Sequence, residues 1–363
     1  LHIEPGFDTH NRVFFDIALT NKRYPVPGKA VFYDKLMPEL AAIPGVERVS
    51  AAHPLPILQE GGSTNLTIAH RSFEPDATPS AMATVAMPGY FETLSIPLIR
   101  GRTFAARDND ANSTRVAVIN QALAQRYFPG EDPMGQYITP TFPYTTEPVA
   151  PRLIVGVVGN TRVNDLFDPY QPQFFLPYAQ DPSHQRPLVV MQVAGDPQGY
   201  EETVRKVVAR FDPDSPVFSY RTFIEETDIK AAQSRFEALL VSGFSAIALL
   251  LSALGLYAVL SYVVGERMRE LGLRMAFGAS RSDILRLVLN RAAILAALGV
   301  ALGVIASIFT TRFVADLLVN VAALDRSVFV SVTLLLFAVS MMAALGPALR
   351  AATIDPARSL RDE

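Results

Sequence analysis

The 363-residue chain contains no cysteine. Disulfides and thiolate metal sites are therefore excluded, and any folded domain rests on an ordinary apolar core. Nucleotide-binding and catalytic signatures are missing too. No GxxxxGK[ST] occurs, because Gly28-Lys29 is followed by Ala30 and lacks the earlier glycine. The chain has no Walker loop with which to cradle ATP phosphates. Neither GxSxG nor HExxH is present. The five histidines, His2, His10, His53, His70 and His184, are scattered without ligand spacing. Carboxylates such as Asp108 and Asp110 read as a solvated loop. No catalytic, cofactor-binding or metal-ligating residue is assigned, and no cofactor is expected. A net charge of −3 gives no sign of nucleic-acid binding.

Apolar sequence is abundant instead. Half of the residues are hydrophobic and the mean hydropathy is +0.23, which indicates membrane segments. Three uncharged runs, 238–264, 292–311 and 327–349, each meet the ~20 residues a membrane-spanning helix requires. None holds an acidic, basic or histidine residue, which argues against an ion or proton pathway through them. The second run carries Gly299 and Gly303, a GxxxG pair suited to close helix packing. Arginines set the orientation. The stretch 265–284 carries Arg267, Arg269, Arg274 and Arg281, and the tail 350–363 carries Arg350, Arg358 and Arg361. Both are assigned to the cytoplasm, and residues 1–237 and 312–326 to the outside. A multi-pass membrane protein is expected.

Residues 1–237 read as a globular α/β region. A strand over 13–19, a helix from Pro27 through Phe32, Leu36, Leu40 and Ile43, and a strand over 46–52 form one strand–helix–strand unit. The pattern recurs as a strand over 188–194, a helix over 200–211 and a strand over 217–220. The two units are expected to pair into one subdomain, formed by 1–80 and 187–222. Between them, the turn-rich segment 81–186 is expected to form an inserted second lobe. Its apolar runs 115–119 and 153–158 have strand length, and Asn120 is placed to cap a short helix through Arg126. Thr222, with Glu225 three residues on, reads as a capping box. Nothing then breaks a helix over 223–264, whose first third reads as a stalk.

The stretch 265–284 has internal structure. Met268, Leu271 and Met275 recur at helical spacing, and Arg267, Glu270 and Arg274 form a neighbouring charged stripe. Gly278 is placed to end this helix. Ser280 with Asp283 reads as a capping box opening the next one, over 285–311. The plainer reading of 265–284 is a positive-inside loop with a surface helix.

Resemblance adds to this. The string E-R-x-R-E-L-G-L-R-x-A-x-G-A-S-x-x-D-I from Glu266 resembles the signature of FtsX-like (MacB-type) permeases of ABC transporters. So do P-G-Y-F-E-T-L-x-I-P-L-x-R-G-R-x-F from Pro88, V-A-V-I-N-x-A-L-A-x-R-Y-F-P-G from Val116, and P-A-L-R-A-A-x-I-D-P-A-x-S-L-R from Pro347. The resemblance implies a membrane protein whose α/β extracytoplasmic domain, a porter-like part plus an inserted lobe, is followed by three transmembrane α-helices. It implies that 265–284 is a coupling helix touching a separate ABC ATPase subunit, with Glu266, Arg267, Met268, Glu270, Leu271, Arg274, Met275 and Gly278 at the contact. Met268, Leu271 and Met275 would fill a groove there. The implied mechanism is mechanotransmission by a non-catalytic permease subunit. A second permease half, as a homodimer or a tandem half, is a further implied partner, beside the lipid bilayer and an extracytoplasmic partner.

The family plan has one span before the outer domain, and none leads this chain. The strings P-G-F-D-T from Pro5 and R-Y-P from Arg23 resemble the start of the second half of tandem permeases, so a C-terminal half of a longer protein is expected. Two other readings stay open: a membrane-tethered extracytoplasmic enzyme, which requires a convergent polar cluster in 1–237, and a sensor or scaffold without an ATPase.

Overall fold

The computed structural model describes residues 5–19, 23–58, 62–69, 71, 73, 78–142, 149–164, 166, 169–180, 186–277, 279–315 and 326–353. His2, His70, His184, Gly278 and the tail beyond residue 353 lie outside them. The chain divides into two units, Leu1–Arg235 and Phe236–Glu363.

The first unit begins with β1 (Arg12–Ile17), α1 (Val26–Ala41) and β2 (Val46–His53). Then follow β3 (Ser63–Ile68), β4 (Ser80–Ala86), α2 (Tyr90–Thr93), β5 (Leu98–Gly101), β6 (Val116–Asn120), α3 (Gln121–Tyr127), β7 (Tyr137–Thr141), β8 (Arg152–Val158) and β9 (Gln173–Pro177). It returns with β10 (Leu188–Val193), α4 (Glu201–Phe211) and β11 (Val217–Thr222).

The two strand–helix–strand units interleave in the order β11-β1-β10-β2, with every neighbour antiparallel. Alternation along β1 decides its two faces. Val13, Phe15 and Ile17 join Leu36 and Leu40 of α1 and Val204 and Val208 of α4 in one core. Phe14 enters a second core with Val190 and Phe223. The turn into β2 requires glycine. Gly45 has φ +87°, and a Cβ there would meet the Tyr200 hydroxyl at 2.0 Å. That hydroxyl instead donates to the Ala194 carbonyl at 2.7 Å.

Strands β4, β3, β7, β8, β6 and β9 follow one another, and β9 pairs back with β4 in parallel, from Met82↔Gln173 to Ala86↔Pro177. The six strands thus close a ring, which removes the unpaired edges an open sheet would present. At two-residue spacing, Leu66 and Ile68, Ala117 and Ile119, and Phe174 and Leu176 join the same core as Val13, Phe15 and Ile17. Their neighbours Val116, Val118 and Phe175 pack instead with Tyr90 and Phe91 of α2. Asn120 ties the ring to α3. Its Oδ1 accepts from the Leu123 and Gln173 backbone N–H groups, each at 2.9 Å.

Residues 63–68 lie within the stretch 1–80 expected to belong to the porter-like part. As β3 they pair with β4 and β7 and complete the ring. The pairs Ala52↔Ala86 and His53↔Val85 join β2 to β4, so the strands on either side belong to one sheet.

Helix α5 (Phe223–Glu266) follows, and the boundary between the units falls within it. The second unit continues with α6 (Met268–Ala276), α7 (Arg281–Ala315) and α8 (Arg326–Ala352). Among the described residues, three helices are long and apolar enough to cross a membrane: Phe223–Glu266, Arg281–Ser307 and Val330–Ala352. Their large apolar side chains face outward; Phe244, Leu250, Leu302 and Leu334 are all exposed. At about 25 cal/mol per Å² such surface is costly in water and costs nothing in hydrocarbon, so these helices suit a bilayer. Within the unit, α5, α7 and α8 meet at Leu260, Ala292 and Ala344.

Candidate functional site

The stretch 265–284 forms a helix–break–helix. Arg267, at φ −101° and ψ 13°, departs from helical geometry and separates α5 from α6. Within α6, Glu270 accepts from Arg274 at 2.8 Å, and Arg267 stands 3.8 Å from the same carboxylate. The next helix opens on the expected capping box. The Ser280 N–H donates to Asp283 Oδ2 at 3.0 Å, and the Asp283 N–H to Ser280 Oγ at 3.3 Å.

Burial divides the side chains of α6 into two sets. Leu271, from the apolar stripe assigned to an outside groove, is only 3% exposed. It packs with Val264, Ile284, Val288, Ala348 and Ala351 of its own unit, and Met275 packs beside it. The stripe is real but anchors α6 to the chain's own helices, because an apolar stripe buries against the nearest apolar surface. The Met268 side chain and Gly278 lie outside what the structure describes. Glu266, Arg267, Glu270 and Arg274 are exposed.

Two residues absent from the sequence-based assignment complete the outward face. Phe277 is 88% exposed and Leu273 46%. Glu270, Leu273, Arg274 and Phe277 fall at i, i+3, i+4 and i+7, one face of a helix. An ion pair thus lies beside two exposed apolar side chains, an arrangement of the kind that protein contacts use as anchors and rim. The available signal was that Phe277 lies off the Met268–Leu271–Met275 stripe, where a purely structural helix would carry a polar residue.

Gly299 and Gly303 lie apart from the close packing within this chain. An added Cβ at either would meet nothing within 4 Å. The pair lines an open groove of about 480 Å³ with Leu249, Leu256, Val332 and Leu336. Close packing in this unit falls elsewhere, at the alanines already named and at Gly346, where a Cβ would stand 3.0 Å from the Tyr257 ring.

Two family models match the chain: the MacB-like periplasmic core domain over residues 8–235 and the FtsX-like permease C-terminal over 242–356. The chain belongs to the MacB/FtsX-type family of ABC transporter permeases. The second match contains the whole of α6 and its outward face. Among relatives, the family member is similar to the macrolide export ATP-binding/permease protein MacB of Azoarcus sp., with 27% identity over 88% of this chain and 48% of that protein. It is also similar to the pyoverdine export ATP-binding/permease protein PvdT of Pseudomonas aeruginosa, with 27% identity over 75% of this chain and 41% of that one. The chain thus spans less than half the length of these two relatives. Among solved structures it resembles the periplasmic region of MacB from Actinobacillus actinomycetemcomitans, with 15% identity and a TM-score of 0.42, over 63% of this chain and 94% of that one.

Proposed function

We propose that this chain is the permease part of an ABC transporter, moved by an ATPase that is a separate chain, and that α6 is where the two meet. The observation carrying the proposal is the division of labour on α6. Leu271 and Met275 hold the helix to its own unit, while Phe277, Leu273, Glu270 and Arg274 face outward. An anchored helix with an exposed aromatic can take a push without detaching. Helix α5 is unbroken over its 44 residues. At ~1.5 Å per residue that is ~66 Å, about twice a bilayer core. A displacement at Glu266 would therefore be carried along a stiff rod to Phe223. The reading assigns no catalytic role to the chain and takes the motion itself as its output. It places residues 1–237 outside a bacterial inner membrane and the C-terminus in the cytoplasm. A second permease half, as another copy or a tandem half, supplies the symmetry a two-fold ATPase requires, and an extracytoplasmic partner receives the movement.

Phe277→Ser tests the proposal. It removes the most exposed anchor and leaves the Leu271 cluster alone. Membrane insertion and thermal stability should equal the parent's, while pull-down of the ATPase and stimulated ATP turnover in the reconstituted complex should fall at least about 10-fold, equivalent to ~1.4 kcal/mol. Unchanged binding and turnover would remove α6 from the coupling path.

A further inference from the structure

A small cavity of about 70 Å³ opens where α5, α6 and α7 converge. Its wall is apolar, with Leu260, Val263 and Leu287, and its charged lining is Arg267, Glu270 and Arg291. The three charges are not equivalent. Glu270 is held by Arg274 at 2.8 Å and approached by Arg267 at 3.8 Å. Arg291 has no ion-pair or hydrogen-bond partner among the described residues. It is also the last charge on α7 before the run 292–311, which has none. A cation therefore stands unpaired at the border of a membrane segment, beside an apolar wall.

We infer that this cavity receives the phosphate headgroup of an anionic phospholipid from the leaflet next to α6. Two observations point to a lipid and away from a free anion. First, the cavity wall is almost wholly apolar, so a small hydrated anion would meet only Arg291 and Arg267 and lose its water elsewhere. Second, Arg291 begins an exposed apolar line at helical spacing, Leu295, Leu298, Leu302 and Ile305, along which an acyl chain can lie. From Leu295 to Ile305 the rise is ~15 Å at ~1.5 Å per residue, which matches one leaflet of a ~30 Å hydrocarbon core. Basic pockets between spanning helices are known headgroup sites. Because Arg267 also adjoins the break between α5 and α6, the bound phosphate would brace the joint from which α6 leaves α5. The inference rests on the membrane reading of α7 and is independent of any ATPase.

The test uses the full chain purified in a zwitterionic detergent. Thermal unfolding and native mass spectrometry are followed while phosphatidylglycerol, phosphatidylcholine or inorganic phosphate is added. Phosphatidylglycerol should bind and raise Tm, and the other two should not. Arg291→Gln should weaken phosphatidylglycerol binding about 5-fold or more, the effect of one interfacial cation. Arg281→Gln, which removes the same charge outside the cavity, should leave binding unchanged. Should Arg291→Gln unfold, Arg291→Lys keeps the charge and should retain binding. Equal losses from Arg281→Gln and Arg291→Gln, equal binding of phosphatidylcholine, loss of binding in Arg291→Lys with folding intact, or equal stabilisation by inorganic phosphate would each overturn the inference. None of these outcomes bears on ATPase coupling, so failure here and failure of the coupling proposal are distinguishable.

Discussion

Thr222 and Glu225 cap α5 reciprocally: the Thr222 N–H donates to Glu225 Oε2 at 3.0 Å, and the Glu225 N–H donates to Thr222 Oγ1 at 3.1 Å. Two of the amide donors that a helix start would leave unpaired are thereby satisfied. Between these residues lies Phe223, which is buried, with its ring edge-on to Phe7 at 5.2 Å and to Phe14 at 5.1 Å. The first turn of the longest helix is thus fixed both by polar caps and by an aromatic anchor. Thr222→Ala should cost ~1 kcal/mol in denaturant unfolding. Phe223→Ala should cost ~3–5 kcal/mol, because it leaves a cavity between two phenylalanines. A Thr222→Ala variant as stable as the parent would mean that the aromatic anchor alone holds the turn.

Continuity of α5 can be tested at Ala232. Proline there removes one backbone donor and crowds the preceding carbonyl, at ~3 kcal/mol or more. Insertion into the membrane should survive, and so should ATPase binding at α6. Transport or its equivalent output should fall. Full output from Ala232→Pro would show that movement does not travel along α5.

Leu271 and Phe277 should separate into two phenotypes. Leu271→Ala opens a hole among Val264, Ile284, Val288 and Ala348 and should lower stability by ~2–5 kcal/mol. The loss should appear as reduced Tm and reduced yield before any effect on ATPase contact. Phe277→Ser should show the reverse order. If both variants lower Tm alike, the outward face of α6 is part of the chain's own packing.

Acid stability of the first unit should depend on Asp108. Burial pushes this carboxyl up, but hydrogen bonds from the Arg102 guanidinium (one at 3.1 Å) and the Ala105 N–H (2.8 Å) outweigh it, and the net shift is downward. A depressed folded-state pKa contributes stability that is present above the unfolded value of ~3.9 and is lost as pH falls through the folded one. Asp108→Asn should therefore cost ~1–2 kcal/mol at neutral pH, discounted because Arg102 is partly exposed. The difference should shrink as pH drops below about 4. Unfolding curves at pH 3 and pH 7 measure it, and a constant difference would show that ionisation is not involved.

Orientation is readable in a chain without cysteine. Ser113→Cys should react with an impermeant thiol reagent in intact spheroplasts, and Ser280→Cys only after lysis. Labelling of Ser280→Cys before lysis would invert the topology.

What the sequence determined by itself was whatever depends on near neighbours in the chain. The spans were legible because a bilayer demands ~20 apolar residues in a row. Caps at Asn120, Thr222 and Ser280 were legible because donor and acceptor lie three residues apart. The two strand–helix–strand units were legible from their periods, and the family resemblance from contiguous strings. Tertiary structure alone decided which partner each surface meets. Periodicity places Leu271 and Met275 on one stripe of α6. It does not say whether Ile284 and Ala348 or another protein covers that stripe, because those residues arrive from other helices. The same limit hid β3, whose pairing partners β4 and β7 come from later segments of the chain. It left Gly299 and Gly303 looking like a packing seam, although they line an open groove. Phe277 was passed over because a single exposed aromatic has no period, and the burial of Leu271 beside the exposure of Phe277 distinguishes the two faces of α6.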